Sequence, residues 1–432
     1  MPLYKFQKAD VHYWAKELNY RGIFAWDCGL GKGYTGALIV QRAVEKQWHT
    51  LIITSRSLIP DWIENCAKLG IVVSEAKKIT EETKAIITTY ESAVKLSHQY
   101  DLIIADECNK VKSSTSKRGK HFQKLAKNAE RLLMMTGTLS NKRDPEELLN
   151  YLWSLNTEDV QRLLPANITK YRARHSNRVD HPNINFPLYY SRTEGATIIN
   201  NLIKKYVCRR KLDDELDLPP YIQTVMKLKS TFDADEIIKE LSKELDLDVA
   251  MNTKNFHINH ALMLGSGIDF TTGEVKNDVK LKAIEDIIEK SDQVVVWFTW
   301  KAYGEYLNKK IKDSQIVHGD ISGTKRQQIV SDFRDRKFRV LLASQGTLAE
   351  GFNLQNACVQ IFSNIYYDAI KFYQSYSRLY RNGQEKTTTS YVLVGKGSLE
   401  EAAWQVLNQK MSMAKANDYL QGVLRKRYLG CR

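Results

Sequence analysis

The feature that most limits the fold of this chain is a series of short apolar segments that alternate with longer stretches of helical periodicity. In the first half these segments lie at residues 51–54, 85–89, 102–105 and 132–135. Each is rich in β-favouring residues and lacks alternating polar positions, which is typical of a strand buried on both faces. The intervening stretches are long enough for crossover helices, so the pattern predicts a doubly wound parallel sheet.

A second alternating region lies at 294–298, 315–318, 339–343, 359–362 and 390–394. Residues from about 150 to 275 are instead helical and basic, with a helical pattern at 233–249 and a turn at 180–183. We therefore predict an α/β protein with two doubly wound parallel-sheet lobes and a helical, basic insertion between them. The first lobe spans 1–225 with a helical extension from about 150, a helical linker spans 226–275, and the second lobe spans 276–432 with a C-terminal helix.

A glycine turn, Gly29-Leu30-Gly31-Lys32-Gly33-Tyr34, follows a short apolar stretch and leads into an apolar helical run at 37–40. Backbone N–H groups of such a turn, together with a helix N-terminus, cradle phosphate, and the Lys32 ammonium adds positive charge. An ordinary glycine turn is the alternative, because Trp26 and Gly33 stand where the usual phosphate loop has glycine and Ser or Thr.

Two acids, Asp106 and Glu107, follow the apolar segment at 102–105. ATP hydrolysis needs one carboxylate to hold Mg²⁺ and another to polarise the attacking water, and this pair suits those roles. An acidic strand end or a helix cap is the alternative. A small Thr-Gly-Thr segment at 136–138 follows the next apolar segment and either senses the metal site or forms an ordinary turn.

In the second half, Gln374, Arg378 and Arg381 are spaced four and three residues apart, which predicts that one helix face presents all three. Two arginines at fixed spacing stabilise charge that develops on a γ-phosphate. An exposed helix with two arginines is the alternative.

The charge of the chain favours a polyanionic partner. Lys and Arg total 64 against 50 Asp and Glu, a formal net charge of +14. Residues 110–143 hold ten Lys or Arg and one acid, and residues 162–211 hold eleven against two acids. Such blocks indicate a nucleic-acid surface, with solubility alone as the alternative.

The six cysteines are widely separated, so their spacing matches neither a zinc knuckle nor a redox pair. No apolar run approaches the roughly 18 residues of a membrane span, and the N-terminal residues lack the apolar region of a signal peptide. We therefore expect a cytoplasmic protein, nuclear if its source is eukaryotic, with no membrane partner.

Taken in order, these motifs resemble those of the superfamily-two helicases and translocases, and their Swi/Snf-type branch in particular. The resemblance covers about residues 3–395. In the first half, 4–7 resembles the glutamine motif, 29–32 the phosphate loop, 51–62 motif Ia, 87–91 the Thr-Tyr-Glu motif, 106–107 the DEAH box, 136–138 motif III and 208–211 the stretch that closes lobe one. In the second half, 298–299, 318–333, 344–354 and 374–384 resemble motifs IV, IVa, V and VI. The closing Gly383-Gln384 favours the Swi/Snf branch over the RNA helicases.

The resemblance implies two RecA-like lobes with ATP and Mg²⁺ in the cleft between them. It implies these catalytic residues: Lys32, Asp106, Glu107, Arg378 and Arg381. It implies that the nucleotide is bound by Gln7 at the adenine, by Gly29, Leu30, Gly31, Lys32, Gly33 and Tyr34 at the phosphates, by Gly351 near the ribose, and by the two arginines. Nucleic acid, in this family most often double-stranded DNA, would contact backbone-binding residues of both lobes: Ser55, Thr89, Thr299, Ser344 and Gln345.

The main departure from the family is Gly33, which replaces the Thr or Ser whose hydroxyl binds Mg²⁺. Either Thr35 substitutes through a shifted loop, so that it joins Asp106 in the metal site, or water fills the position. We expect an active ATPase, monomeric and without accessory domains, that translocates on double-stranded DNA. Two alternatives stay open: a strand-separating helicase on DNA or RNA, and an ATP-gated clamp whose hydrolysis is impaired at Gly33.

Overall fold

The computed structural model describes residues 2–76, 84–96, 99–137, 139, 145–179, 187–229, 254–269, 273–275, 279–348, 351–409, 416, 419–420 and 422–423. The chain divides into two compact units, Met1–Asp217 and Leu218–Arg432. The predicted helix at 233–249 and the predicted turn at 180–183 lie outside the described residues. Across the described ranges, no helix combines the length and apolar character that crossing a membrane requires.

The first unit is built on a parallel sheet of seven strands in the order β3-β4-β2-β5-β6-β1-β9. Its strands are β1 (Arg21–Trp26), β2 (Thr50–Thr54), β3 (Ser74–Glu75), β4 (Ala85–Thr89), β5 (Leu102–Asp106), β6 (Arg131–Thr136) and β9 (Val207–Arg210). A separate antiparallel pair is formed by β7 (Ser176–Val179) and β8 (Leu188–Ser191). Because the seven strands run parallel, their carboxyl ends share one edge of the sheet, hereafter the carboxyl edge, where ligands bind in such sheets.

The helices of the first unit connect these strands. They are α1 (Lys5–Lys16), α2 (Lys32–Glu45), α3 (Ile59–Ala67), α4 (Tyr90–Ala93), α5 (Lys117–Asn128), α6 (Leu149–Leu155), α7 (Glu158–Leu163), α8 (Ile168–His175), α9 (Thr193–Tyr206) and α10 (Leu212–Glu215). Strands β2, β4 and β5 are buried at every position. Their uninterrupted apolar sequence therefore reflects helices packed on both faces of the sheet.

The second unit has a parallel sheet of six strands in the order β10-β15-β14-β11-β13-β12. Its strands are β10 (Tyr221–Lys229), β11 (Val294–Phe298), β12 (Ser314–Val317), β13 (Val340–Ser344), β14 (Val359–Phe362) and β15 (Thr388–Lys396). Its helices are α11 (Lys254–Gly265), α12 (Val279–Glu289), α13 (Lys301–Lys310), α14 (Gly323–Arg334), α15 (Gln345–Leu348), α16 (Ala369–Tyr376) and α17 (Leu399–Asn408).

Alternate residues of the central strands separate the core of the second unit into two apolar clusters. Val295 and Trp297 of β11 belong to one cluster, while Val294, Val296 and Phe298 belong to the other. Successive side chains of a strand point to opposite faces, so both faces of this sheet are covered. The predicted doubly wound parallel sheets are therefore confirmed in both units.

The boundary between the units differs from the predicted one. The predicted end of the first lobe, residue 225, falls inside β10, which pairs along its length with β15 of the second sheet. Most β10 side chains are exposed, as at an edge strand, so it lacks the apolar pattern of a buried strand. At the other end of the predicted linker, Ile258 and Leu262 of α11 are buried in the core of the second unit.

Candidate active site

The phosphate-loop candidate lies where β1 leaves the carboxyl edge and α2 begins. Gly29 and Gly31 have φ angles of 94° and 75°, in the left-handed region that side chains other than glycine rarely adopt. Gly31 is the N-cap of α2, and Lys32, Gly33 and Tyr34 form its first turn. The loop therefore ends at a helix N-terminus, the positive end of the helix dipole, which is the arrangement that binds phosphate.

Gln7 lies against this loop. Its side-chain Oε1 accepts a 2.8 Å hydrogen bond from the backbone N–H of Tyr4, and its Nε2 donates to the carbonyl oxygen of Leu30 at 2.9 Å. A Cβ atom at Gly31 would lie 2.8 Å from Gln7 Nε2, closer than atoms normally approach. The glutamine at the start of α1 thus joins the phosphate loop, and its predicted role at adenine stays a prediction.

The Lys32 ammonium is held at the loop. Its Nζ donates to the carbonyl oxygens of Trp26 at 2.7 Å and Asp27 at 3.1 Å. A Cβ atom at Gly137 would lie 3.7 Å from this Nζ and 2.8 Å from Cys28 Sγ. Gly137, the middle residue of the motif III candidate, therefore borders the loop and its lysine.

The two acids occupy the carboxyl end of β5, two strands from β1. Asp106 Oδ1 accepts the backbone N–H of Glu107 at 3.0 Å, and Glu107 has a left-handed φ of 51°. The charges of both acids and of Lys32 affect the pKa of the next residue, Cys108. Burial raises the pKa of its thiol, the charges of Glu107 and Asp106 raise it further, and Lys32 lowers it. Only β6 lies between β5 and β1 in the sheet, so the structure places the acid pair and Lys32, which follows β1, at the same carboxyl edge.

Trp62 of α3 links the acid pair to the phosphate-loop helix. Its indole Nε1 donates a 2.8 Å hydrogen bond to Asp106 Oδ2. Its ring packs so closely on α2 that a Cβ at Gly36 would lie 2.4 Å from it. The sequence identified this tryptophan only as a neighbour of motif Ia, because the contact joins residues 44 positions apart.

A second, partly buried network supports the strand that precedes the loop and was not anticipated. The Asp10 carboxylate accepts hydrogen bonds from Trp26 Nε1 at 2.8 Å and from Arg210 Nε at 3.0 Å. Arg210 also forms a 3.0 Å ion pair with Glu215. These carboxylates, Asp10 foremost, raise the pKa of Arg210 above its ordinary value. The network joins α1, β1 and β9, so it fixes the strand from which the phosphate loop emerges.

A magnesium ion fits this site through Asp106. Within the described ranges, no three His, Cys, Asp or Glu side chains form a cluster able to hold a metal alone. Mg²⁺ in phosphate-transfer sites is commonly held by one or two carboxylates together with substrate phosphates and water. Thr35 lies in α2 and is buried, and its Oγ1 has no hydrogen-bond partner among the described residues. That orphaned hydroxyl is compatible with the substitution suggested for Thr35, which stays a prediction.

The nucleic-acid candidates of the first unit lie on neighbouring strands. Ser55 directly follows β2, Thr89 ends β4, and the two strands pair at Thr54 and Thr89. Thr89 caps α4, because its Oγ1 accepts the backbone N–H of Ser92 at 3.2 Å. Both candidates thus lie at the carboxyl edge, on the side of β5 away from the phosphate loop.

The second unit repeats this placement. Thr299 follows β11 and Ser344 ends β13, and these strands pair at Phe298 and Ser344. Gln345 begins α15 and is buried. The structure therefore brings Thr299, Ser344 and Gln345 together at the carboxyl edge of the second sheet. Contact of any of these residues with nucleic acid stays a prediction.

The prediction that one helix face presents Gln374, Arg378 and Arg381 is wrong. Helix α16 ends at Tyr376, and the backbone N–H of Arg378 bonds to the carbonyl oxygen of Ser375 at 3.1 Å, three residues back. This tighter bonding forms turns instead of a further helical turn, so both arginines lie beyond the helix. The prediction failed because the spacing of residues in the sequence gives no information about where the helix ends.

Arg378 nevertheless contacts its own segment and one other candidate segment. Its Nε donates to the carbonyl oxygen of Gln374 at 3.2 Å, and its Nη1 approaches the carbonyl oxygen of Phe352 at 3.5 Å. Phe352 follows Gly351, whose φ of 88° is left-handed. The predicted ribose neighbour Gly351 and the predicted arginine finger Arg378 are therefore brought together within the second unit.

Gln384 holds the turn that carries the arginines. This buried side chain donates from Nε2 to the carbonyl oxygens of Ala357 at 3.0 Å, Leu379 at 3.1 Å and Gln355 at 3.2 Å. Its Oε1 accepts the backbone N–H of Lys386 at 3.0 Å. The sequence marked Gln384 as part of a motif without a role, and the structure shows that it fixes backbone on both sides of Arg378.

Comparisons with known proteins match both units. The family model described as Helicase conserved C-terminal domain matches residues 279–383, and the one described as Type III restriction enzyme, res subunit matches residues 1–141. The human DNA annealing helicase and endonuclease ZRANB3 is 22% identical over 444 residues, covering 94% of this chain and 40% of that protein. The Xenopus tropicalis SWI/SNF-related matrix-associated actin-dependent regulator of chromatin subfamily A-like protein 1 is 21% identical over 431 residues, covering 95% of this chain and 44% of that protein. These matches show the domains of an ATP-dependent helicase or translocase, and the chain is similar to Snf2-type members of superfamily two.

The relatives of this chain differ in length. A Bacillus subtilis protein, the uncharacterized ATP-dependent helicase YqhH, is 23% identical over 445 residues, covering 92% of this chain and 76% of the relative. The chain thus spans about three quarters of that relative but less than half of the two vertebrate relatives. Among solved structures, the Sulfolobus solfataricus SWI2/SNF2 ATPase core in complex with dsDNA aligns with a TM-score of 0.45 and 18% identity, covering 99% of this chain and 97% of that one.

Proposed function

We propose that this protein is an ATP-driven motor that moves along double-stranded DNA. The observation that carries the proposal is the arrangement at the carboxyl edge of the first sheet. There a glycine loop at a helix N-terminus, with Lys32 in the first turn of that helix, lies at the same sheet edge as the Asp106–Glu107 pair, with one strand between them. A phosphate cradle, a cation and two acids are the groups that phosphoryl transfer to water requires.

In this proposal each side chain has a distinct task. Lys32 exchanges its contacts with the loop carbonyls for the β- and γ-phosphates, and Asp106 holds the magnesium ion. When bound, Mg²⁺ neutralises charge on the phosphate oxygens. Glu107 polarises the attacking water, and Arg378 and Arg381 stabilise the charge that develops on the γ-phosphate.

The proposed DNA contacts follow from the two hydroxyl pairs. Ser55 and Thr89 lie on neighbouring strands of the first sheet, and Thr299 and Ser344 lie on neighbouring strands of the second. Hydroxyl groups suit backbone phosphates, which position a protein on DNA without reading its sequence. Each unit would therefore bind the duplex backbone separately. Changes in the affinity of each unit for DNA during the nucleotide cycle would then move the protein along the duplex. DNA binding in this proposal depends strongly on salt and little on sequence.

The test measures phosphate release from Mg²⁺–ATP with double-stranded DNA, single-stranded DNA and RNA side by side, and displacement of a triplex-forming strand as a readout of translocation. We expect double-stranded DNA to stimulate hydrolysis most and the motor to displace the third strand. The Lys32→Ala variant serves as the inactive control. Separation of the two strands of a forked duplex would instead support a helicase.

An ATP-gated clamp is the second candidate, because Gly33 leaves the position of the usual magnesium-binding hydroxyl without a side chain. The substitution Gly33→Thr is sterically feasible, since a Cβ at Gly33 meets only Asn65 Nδ2, at an ordinary 3.6 Å. ATP binding without turnover in the wild type, together with turnover in Gly33→Thr, would establish the clamp and refute the motor.

A further inference from the structure

Helix α5 carries a stripe of four exposed lysines: Lys117, Lys120, Lys124 and Lys127. They are separated by three, four and three residues, so they lie on one face of the helix. At about 1.5 Å per residue the stripe is roughly 15 Å long. The opposite face is anchored, because Phe122, Leu125 and Ala126 are buried in the core of the first unit. The lysines are therefore held outward in a fixed row, hereafter the α5 lysine stripe.

In the described part of the chain none of the four ammonium groups of the stripe forms an ion pair, and two acids beside the helix are paired with arginines. Glu91 pairs with Arg118 at 2.7 Å, and Glu130 pairs with Arg131 at 2.7 Å. Like charges three and four residues apart disfavour the helix slightly, so the row costs stability unless an anion covers it. An extended polyanion is the partner whose charge distribution matches such a row.

The position of the stripe relates it to the proposed DNA contacts. Helix α5 follows β5 and precedes β6, which pair in parallel, so it runs from the carboxyl edge toward the opposite edge of the sheet. Its first turns are tied to α4, because Arg118 bonds Glu91 and the His121 Nε2 lies 3.0 Å from the carbonyl oxygen of Ala93. Helix α4 begins directly after Thr89. The stripe therefore starts beside the proposed contact at Thr89 and leads away from it.

We propose that the α5 lysine stripe is a second DNA-binding surface, which holds backbone phosphates of a duplex segment beyond the one gripped at Ser55 and Thr89. The proposal rests on the proposed function, since it extends the same duplex. Phosphates of one strand recur about every 3.4 Å along the duplex axis, so a row of roughly 15 Å faces about four of them. Lysine is a point charge on a flexible stem, and it suits phosphates without regard to sequence.

The experiment compares the wild type with a variant in which all four lysines of the α5 lysine stripe are changed to Gln. Gln and Lys have similar helix propensities, so the fold is retained. Affinity is measured as a function of salt for duplexes of about 12 and about 40 base pairs. Each lost phosphate contact lowers the slope of log K against log salt by about 0.9, so the slope for the long duplex should fall by about 3 to 4. We expect the long-duplex concentration for half-maximal ATPase to rise at least about tenfold, with basal and maximal rates unchanged.

Two controls separate this surface from a general loss of charge. A matched variant changes four exposed lysines at the opposite, amino-terminal edge of the second sheet to Gln: Lys290, Lys309, Lys310 and Lys312. It should keep the wild-type slope. A variant with four arginines in the stripe retains the charge and should bind as the wild type does.

The outcomes distinguish the two proposals. The second surface would be overturned if the stripe variant kept the wild-type salt slope on the long duplex, or if its slope fell equally on the short and long duplexes. Either result would leave the motor intact. A wild-type protein that is stimulated by neither duplex would refute the motor and the stripe together. An RNA preference in the stripe-dependent part of binding would also overturn the assignment to DNA.

Discussion

Gln384 offers a sharp test of how the second unit positions its arginines. Gln384→Met keeps the length of the side chain and removes both its donor and its acceptor. The change leaves three carbonyl oxygens, those of Gln355, Ala357 and Leu379, without the Nε2 group to which they now bond. It also removes the acceptor for the N–H of Lys386.

The magnitude follows from these bonds. Nε2 has two protons for three acceptors, so we count about two full bonds from the nitrogen and one to the oxygen, each contributing about 1 kcal/mol. We therefore expect the free energy of unfolding to fall by about 3 kcal/mol. For a unit of this size each kcal/mol shifts Tm by about 2–4 °C, so Tm should fall by roughly 6–12 °C.

The effect on turnover has a separate cause. The Arg378 carbonyl oxygen accepts the N–H of Leu354 at 3.0 Å, and Gln384 holds the adjoining Leu379 carbonyl. Without that support the turn gains freedom, so kcat for DNA-stimulated hydrolysis should fall at least about tenfold while ATP affinity changes little. Thermal melting and steady-state hydrolysis, the latter well below the Tm of the variant, measure the two effects. Gln328→Met, an exposed change with one hydrogen bond to Asp332, is the control. Lower Tm with wild-type kcat would refute the positioning role.

Three further changes probe other parts of the structure. Trp62→Phe keeps an aromatic ring at this position but removes the donor to Asp106. A bond to a charged group contributes about 1.5–3 kcal/mol, so kcat should fall about 10- to 100-fold, and an unchanged kcat would contradict the link. Lys280→Met leaves the buried Glu400 carboxylate without the ammonium that contacts both its oxygens at 2.8 Å. The free energy of unfolding, measured with urea, should therefore fall by about 3–5 kcal/mol. Adding Glu400→Gln in a double variant should restore part of this loss. Burial raises the pKa of Cys66 from 9.0 to about 11. The thiol therefore ionises more readily in the unfolded chain, so the free energy of unfolding should fall as pH rises above about 9, by up to about 1.4 kcal/mol at pH 10. The Cys66→Val variant should lack this pH-dependent loss.

The central strands could be predicted because burial on both faces leaves a direct mark on their sequence. Strands β2, β4 and β5 consist almost wholly of apolar and β-branched residues, and every position is buried. Strands β9 and β10 lie at sheet edges and have polar or exposed side chains, so a search for continuous apolar segments did not find them. Edge strands are defined by the neighbour they pair with, and that information is not local in sequence.

The candidate site shows the same division. Gly29, Gly31 and Lys32 are recognisable because backbone geometry and charge at one turn fix their spacing. The residues that support this turn could not be recognised from the sequence, because Asp10 and Arg210 are 200 positions apart and Trp62 and Asp106 are 44 apart. Spacing also misplaced Arg378 on a helix that ends before it. Hydrogen bonds between distant backbone segments, such as those of Gln384, become visible only in three dimensions.

The most direct test of the account compares DNA-stimulated ATP hydrolysis in the wild type, in Lys32→Ala and in Arg378→Ala, with ATP binding measured in parallel. The proposed function gives both Lys32 and Arg378 a part in hydrolysis. We therefore predict that both variants lose turnover by at least about a thousandfold, the range attributed to such an arginine, while Arg378→Ala still binds ATP. Wild-type turnover in Arg378→Ala would contradict the account.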